Sequence, residues 1–202
     1  MSSVIISGDT SGAITLAAPS VAGTNTLTLP SGASGTIAAQ GVSSNIVSGT
    51  AQNSTSGTVI DFTSIPSWVK RITVNFNNVS TNGSSGVIVQ LGTGGTPTTT
   101  GYSGMVGVIS TTSNTTRGSI YTNGFGLIHS GSPSDQFCGA YIFSLLSGNI
   151  WTATGSTYDN TQATMGIVSG LIALAGTLNI VRIASNNGTD TFDAGSINIL
   201  YE

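Results

Sequence analysis

Charge is what this sequence has least of. Only 5% of its 202 residues are Asp, Glu, Lys or Arg, against about 25% in an ordinary soluble domain. The cations are Lys70, Arg71, Arg117 and Arg182. Four scattered cations and a net charge of -3 give no footprint for nucleic acid, whose phosphates require clustered Lys and Arg. Anionic lipid is disfavoured for the same reason. No charge at all lies between Asp9 and Asp61. Cysteine is nearly absent too: Cys138 is alone, which excludes an intrachain disulfide. Long apolar runs are missing. The most apolar stretch, 166–178, is shorter than the roughly 18 residues of a membrane span and is interrupted by Ser169, Gly170 and Gly176. The first residues, Met-Ser-Ser-Val-Ile-Ile, lack the basic n-region of a signal peptide, so none is expected. No stretch combines a 3.6-residue apolar period with helix caps.

What is present is Gly, Ser, Thr, Asn and Ala around short apolar alternations, the composition of strands and turns. The first 50 residues hold no aromatic side chain, and 31 of them are Ser, Thr, Gly or Ala. Alternating pieces recur at 13–16, 26–29 and 36–37, each bounded by Gly, Pro or Asn. A segment this short and this poor in large side chains cannot bury a core in one copy. It is either a flexible linker or a part whose core is shared among several copies. The alternation of Thr with Leu favours the shared core. The organisation expected is therefore an oligomerisation segment over 1–50, to which the resemblance below adds attachment, and a folded domain over 51–202.

From residue 56 the pattern predicts an all-β fold, an antiparallel β-sandwich of jelly-roll type, with about ten strands. Residues 70–79 alternate cleanly, with Ile72, Val74 and Phe76 on one face. Strands are also expected at 58–62, 86–91, 105–109, 119–121, 124–129, 138–146, 149–154, 177–184 and 196–202. Two short apolar pieces lie at 163–168 and 171–174. The alternation through Ile197, Ile199 and Tyr201 implies that the last residues are tied into a sheet.

Chemistry-bearing residues are few. His129 has no Ser-His-Asp order or metal-ligand spacing around it and reads as structural. Cys138 stands in an apolar strand without a basic neighbour in sequence and reads as a small buried side chain. Asp190 and Asp193 are the only close acidic pair, but in a tight Thr-rich loop they read as turn caps rather than glycosidase carboxylates. No run has the acidic density of a calcium loop. The Gly-rich pieces at 92–95 and 124–126 lack the Lys-Ser/Thr context of a phosphate loop. No enzymatic activity, cofactor or metal is therefore expected. Loops at 92–101, 111–117 and 157–162 are the places for partner contact. They offer Tyr102, Arg117 and Tyr158 as candidate binding residues, two aromatic faces and one cation.

Several segments resemble a known family. Gly8-Asp9-Thr10-Ser11-Gly12-Ala13-Ile14-Thr15-Leu16, with Ala22-Gly23-Thr24-Asn25-Thr26-Leu27-Thr28-Leu29-Pro30, is similar to a module of tailed-bacteriophage fibre and virion proteins. Asp61-Phe62-Thr63-Ser64-Ile65-Pro66-Ser67-Trp68-Val69-Lys70-Arg71-Ile72 and Gly188-Thr189-Asp190-Thr191-Phe192-Asp193-Ala194-Gly195-Ser196-Ile197-Asn198-Ile199-Leu200-Tyr201-Glu202 resemble the terminal domain of phage tail proteins. Residues 92–176 carry no such resemblance. It implies a virion protein and a homotrimeric tail fibre. Its N-terminal part would bind other virion proteins of the tail, baseplate or capsid. Its C-terminal part would meet the host, with a surface glycan as partner. A capsid decoration protein is the alternative, and a polysaccharide depolymerase a more distant one.

Overall fold

The computed structural model describes residues 3–7, 13–17, 46–111, 117–127 and 131–202. The expected strands at 26–29 and 36–37, most of the 111–117 loop, and His129 lie outside the described residues. The chain divides into two units, Met1–Ser43 and Ser44–Glu202. In the first, β1 (Ser3–Ser7) and β2 (Ala13–Ala17) form an antiparallel hairpin in which Ile5 lies opposite Thr15.

The second unit is all-β among the described residues, two antiparallel sheets packed face to face as a sandwich. Its strands are β3 (Val47–Ser48), β4 (Gln52–Asn53), β5 (Val59–Thr63), β6 (Arg71–Thr81), β7 (Val87–Thr93), β8 (Thr96–Pro97) and β9 (Ser103–Ser110). They continue as β10 (Arg117–Ile120), β11 (Phe125–Gly126), β12 (Phe137–Ser147), β13 (Ile150–Asp159), β14 (Thr164–Ala173), β15 (Leu178–Ser185) and β16 (Phe192–Tyr201). The large sheet runs β10-β9-β14-β13-β12-β6-β16-β3, with β4 also on β16. The small one runs β11-β7-β15-β5, with β8 on β7. Ten of the strands in this unit have four or more residues, as the spacing of turn signals predicts.

Alternation explains the core. Ile72, Val74 and Phe76 of β6 face inward beside Tyr141 and Phe143 of β12 and Ile197 and Ile199 of β16. From the small sheet come Ile60, Phe62, Val89, Leu91, Val181 and Ile183. Phe76 meets Tyr141 edge-on at 5.6 Å, and Phe125 meets Tyr102 at 5.0 Å, both favourable ring geometries. The Tyr141 hydroxyl donates to the Gly126 carbonyl at 2.8 Å, so this buried polar atom is satisfied.

Several boundaries differ from expectation, and the strand expected at 124–129 is only Phe125–Gly126 among the described residues. The apolar pieces at 163–168 and 171–174 are one strand, β14. Gly170, which reads as a break, sits mid-strand because a side chain there would meet the Ser103 carbonyl at 2.6 Å and the Phe125 ring at 3.0 Å. The expected loop at 157–162 gives way to the end of β13 and a turn at 160–163. There the buried Asp159 carboxylate accepts the Thr161 and Gln162 amides and the Thr161 hydroxyl. Finally, Val47 and Ser48, expected in the attachment segment, pair with Tyr201 and Leu200 of β16. The C-terminal strand is tied in as its alternation implies, along β6 from Phe192 to Tyr201.

Candidate functional site

The three candidate binding residues do not come together. Tyr102 is buried, 4% exposed; its hydroxyl accepts the Leu91 amide at 2.8 Å and has the Thr98 and Leu91 carbonyls, at 3.0 and 3.1 Å, as acceptors for its single proton. Burial pushes its pKa well above the usual phenol range. Tyr102 is thus a core residue, and its expected place on a contact loop is corrected. The reason is the 92–101 segment, which folds back as β7–β8 and brings the Thr98 carbonyl within 3.0 Å of the hydroxyl, while the ring packs on Phe125. Tyr158 is exposed but lies on β13, not on a loop. Arg117 opens the edge strand β10 opposite Val108, in the row that continues through Gly166 to Thr157. Tyr158 occupies the next row, on the opposite face of the sheet.

Of the other aromatics, Trp151 and Tyr121 are buried, while Trp68 is 51% exposed. Cys138 lies partly exposed, opposite Tyr158 on β13, rather than buried as expected. Asp190 caps a turn as expected. Its carboxylate accepts the Ser85 amide at 2.9 Å and the Asn187 side-chain amide at 2.8 Å. These bonds hold its pKa below the ordinary 3.8. Asp135 is buried and accepts the Gly131 and Ser132 amides, with Thr161 and Gln162 on its other oxygen. It is a loop cap that the sequence gives no means of ranking. Among the described residues no three His, Cys, Asp or Glu side chains are grouped to hold a metal ion.

Two surface features stand out instead. The first is the outward face of the large sheet. Ile120 of β10 pairs with Met105 of β9; Ile109 pairs with Met165 of β14, and Met165 with Tyr158 of β13. Ile167 and Leu171 continue the same face along β14. These seven side chains are between 41% and 77% exposed. At about 200 Å² per large residue they expose roughly 700 Å² in all, interleaved with small polar residues. The residues between them are Ser103, Gly107, Ser169, Thr152, Thr154 and Ser156. No Lys, Arg, Asp or Glu occurs in these outward rows from β10 to β12. The alternation of β14 made the face legible in part, but only the strand order shows that β9, β10 and β13 extend it.

The second feature is a groove of about 350 Å³ where the β3–β4 segment passes the end of β5. Gln52, Asp61, Thr63, Ser64 and Tyr201 line it, over buried Phe62 and Ile199. The segments 61–72 and 188–202, far apart in sequence, meet here. Tyr201 packs against Trp68 with ring centres 5.8 Å apart. No protein-family model matches the chain, and neither does any curated protein or any solved structure.

Proposed function

We propose that the chain is a non-enzymatic structural component of a bacteriophage particle, a homotrimeric tail fibre that meets the host surface through multivalent binding. The observation that carries this reading is the uncharged, apolar outward face of the large sheet. A lone soluble domain keeps such a face small or breaks it with charge, whereas a subunit covers it with further copies of itself. The area available is close to the roughly 800 Å² per partner of a standard interface. The β1–β2 hairpin supports the same conclusion, because a two-stranded hairpin is at best marginally stable unless something else packs on it. Three copies per fibre and several fibres per particle convert weak contacts into tight attachment.

Immunogold labelling of purified particles tests this. Label at the tail tip is the expected result. Label spread over the capsid shell would replace the fibre with a decoration protein, and release of reducing sugar from host polysaccharide by the pure chain would make it a depolymerase.

A further inference from the structure

We infer that the groove between the β3–β4 segment and the end of β5 is a binding subsite for a neutral, hydroxyl-rich ring, a pyranose unit of a glycan. A pyranose presents an apolar C–H face and a rim of hydroxyls that both donate and accept hydrogen bonds. Its binding site therefore needs an aromatic plane beside several uncommitted polar groups, all without net charge.

The groove supplies each of these. The hydroxyls of Thr50, Thr63, Ser64 and Tyr201 make no hydrogen bond with the described residues. Gln52 donates its amide N–H to the Asp61 carbonyl at 2.7 Å, which fixes the side chain and leaves its own oxygen uncommitted. The Asp61 carboxylate is held in two bonds by the Arg182 guanidinium, at 2.7 and 2.6 Å. That pair is internally neutral, so the groove selects neither anion nor cation. Phe62, Ile65 and Ile199 lie buried beneath it, so the surface it presents is mostly polar. Tyr201 lines the groove, and its ring packs against the half-exposed Trp68 just outside it, with ring centres 5.8 Å apart.

Ser64 adds an independent indication. Its φ of 59° lies in the left-handed region, at a cost of order 1 kcal/mol for a residue other than glycine. Folding alone would favour Gly there, and Ser at that position places a hydroxyl on the groove. The inference does not depend on assembly, since a monomer has the whole groove.

Intrinsic fluorescence of the full chain tests it, because Trp151 is buried and Trp68 is half-exposed, so a ligand-induced change reports Trp68. The probes are oligomers of glucose, galactose, mannose and N-acetylglucosamine, each titrated to about 10 mM. A saturable blue shift with at least one probe is expected. Ser64→Gly, which relieves the backbone while removing the hydroxyl, and Gln52→Ala should each weaken that binding by about fivefold or more, the worth of one hydrogen bond. Tyr158→Ala, on the distant outward face, should leave it unchanged. No saturable shift with any of the four probes would overturn the proposal. So would equal affinity in Ser64→Gly and wild type. Sedimentation on the same samples reads assembly separately, so loss of sugar binding and loss of the oligomer are distinguishable.

Discussion

Replacing Ile167 with Asp should dissolve the assembly while leaving the fold intact. Ile167 lies in the middle of the outward apolar face, between Gly107 of β9 and Ser156 of β13, and is 47% exposed. That leaves about 90 Å² of apolar surface, worth about 2 kcal/mol if a neighbouring copy covers it, or roughly 30-fold in the dissociation constant of each contact. An aspartate buried there without a partner would add its desolvation cost. Ile167→Thr separates contact from fold, because Thr keeps the β-branched shape that suits a strand and removes only apolar area. Sedimentation velocity across the micromolar range reads the outcome in multiples of 20.2 kDa. Wild type should sediment as a trimer, Ile167→Asp as a monomer, and Ile167→Thr between them. The circular-dichroism spectrum of all three should be the same. An unshifted trimer in Ile167→Asp would show that this face is not the contact. A wild-type monomer at about 100 µM would refute assembly itself, since a standard interface holds at lower concentrations.

Tyr102→Ala and Tyr158→Ala should part company. The first opens a core cavity and strands the Leu91 amide, costing about 3–5 kcal/mol in urea unfolding. The second should shift the midpoint by no more than about 0.5 kcal/mol, and equal losses would contradict their assigned burial. Asp190 stabilises the fold in its charged form, because its folded pKa lies below 3.8. That contribution is present above about pH 4 and disappears as pH falls through the lower folded value. The melting temperature of Asp190→Asn should therefore trail wild type at neutral pH and converge with it once the pH has fallen below the ordinary carboxylate range. A difference constant across pH would exclude the charge as its cause. Truncation should also discriminate the boundary. A chain beginning at Ser44 keeps the pairing of Val47 and Ser48 with β16, whereas one beginning at residue 51 exposes the end of β16 and should melt lower by thermal denaturation. Identical melting would remove any role for β3.

The sequence alone determined the fold class and much of the strand inventory. Period-two alternation over Ile72-Thr73-Val74-Asn75-Phe76 leaves one arrangement that buries Ile, Val and Phe together, a strand with one face on a core. A single cysteine likewise excluded an intrachain disulfide, and scattered cations made nucleic acid an unexpected partner, before any geometry was known. Tertiary structure decided which residues share a place. Tyr102 looked like a loop aromatic because its neighbours are Gly, Thr and Ser, and local polarity carries no information about a segment folding back to cover a ring. Gly170 looked like a break because its reason for being small is the ring of Phe125, 45 positions away. The outward apolar face and the groove are both invisible in one dimension. Alternation marks which side chains of a strand point the same way, but not which strand lies beside it. Ile120, Met105, Ile167 and Tyr158 become one surface only through the order β10-β9-β14-β13. Asp61 and Tyr201 line one groove only because β5 and β16, in different sheets, end at the same side of the sandwich. Long-range pairing is chosen by the summed burial of whole strands, so the location of a site emerges with the packed sheets and not with any segment of the chain.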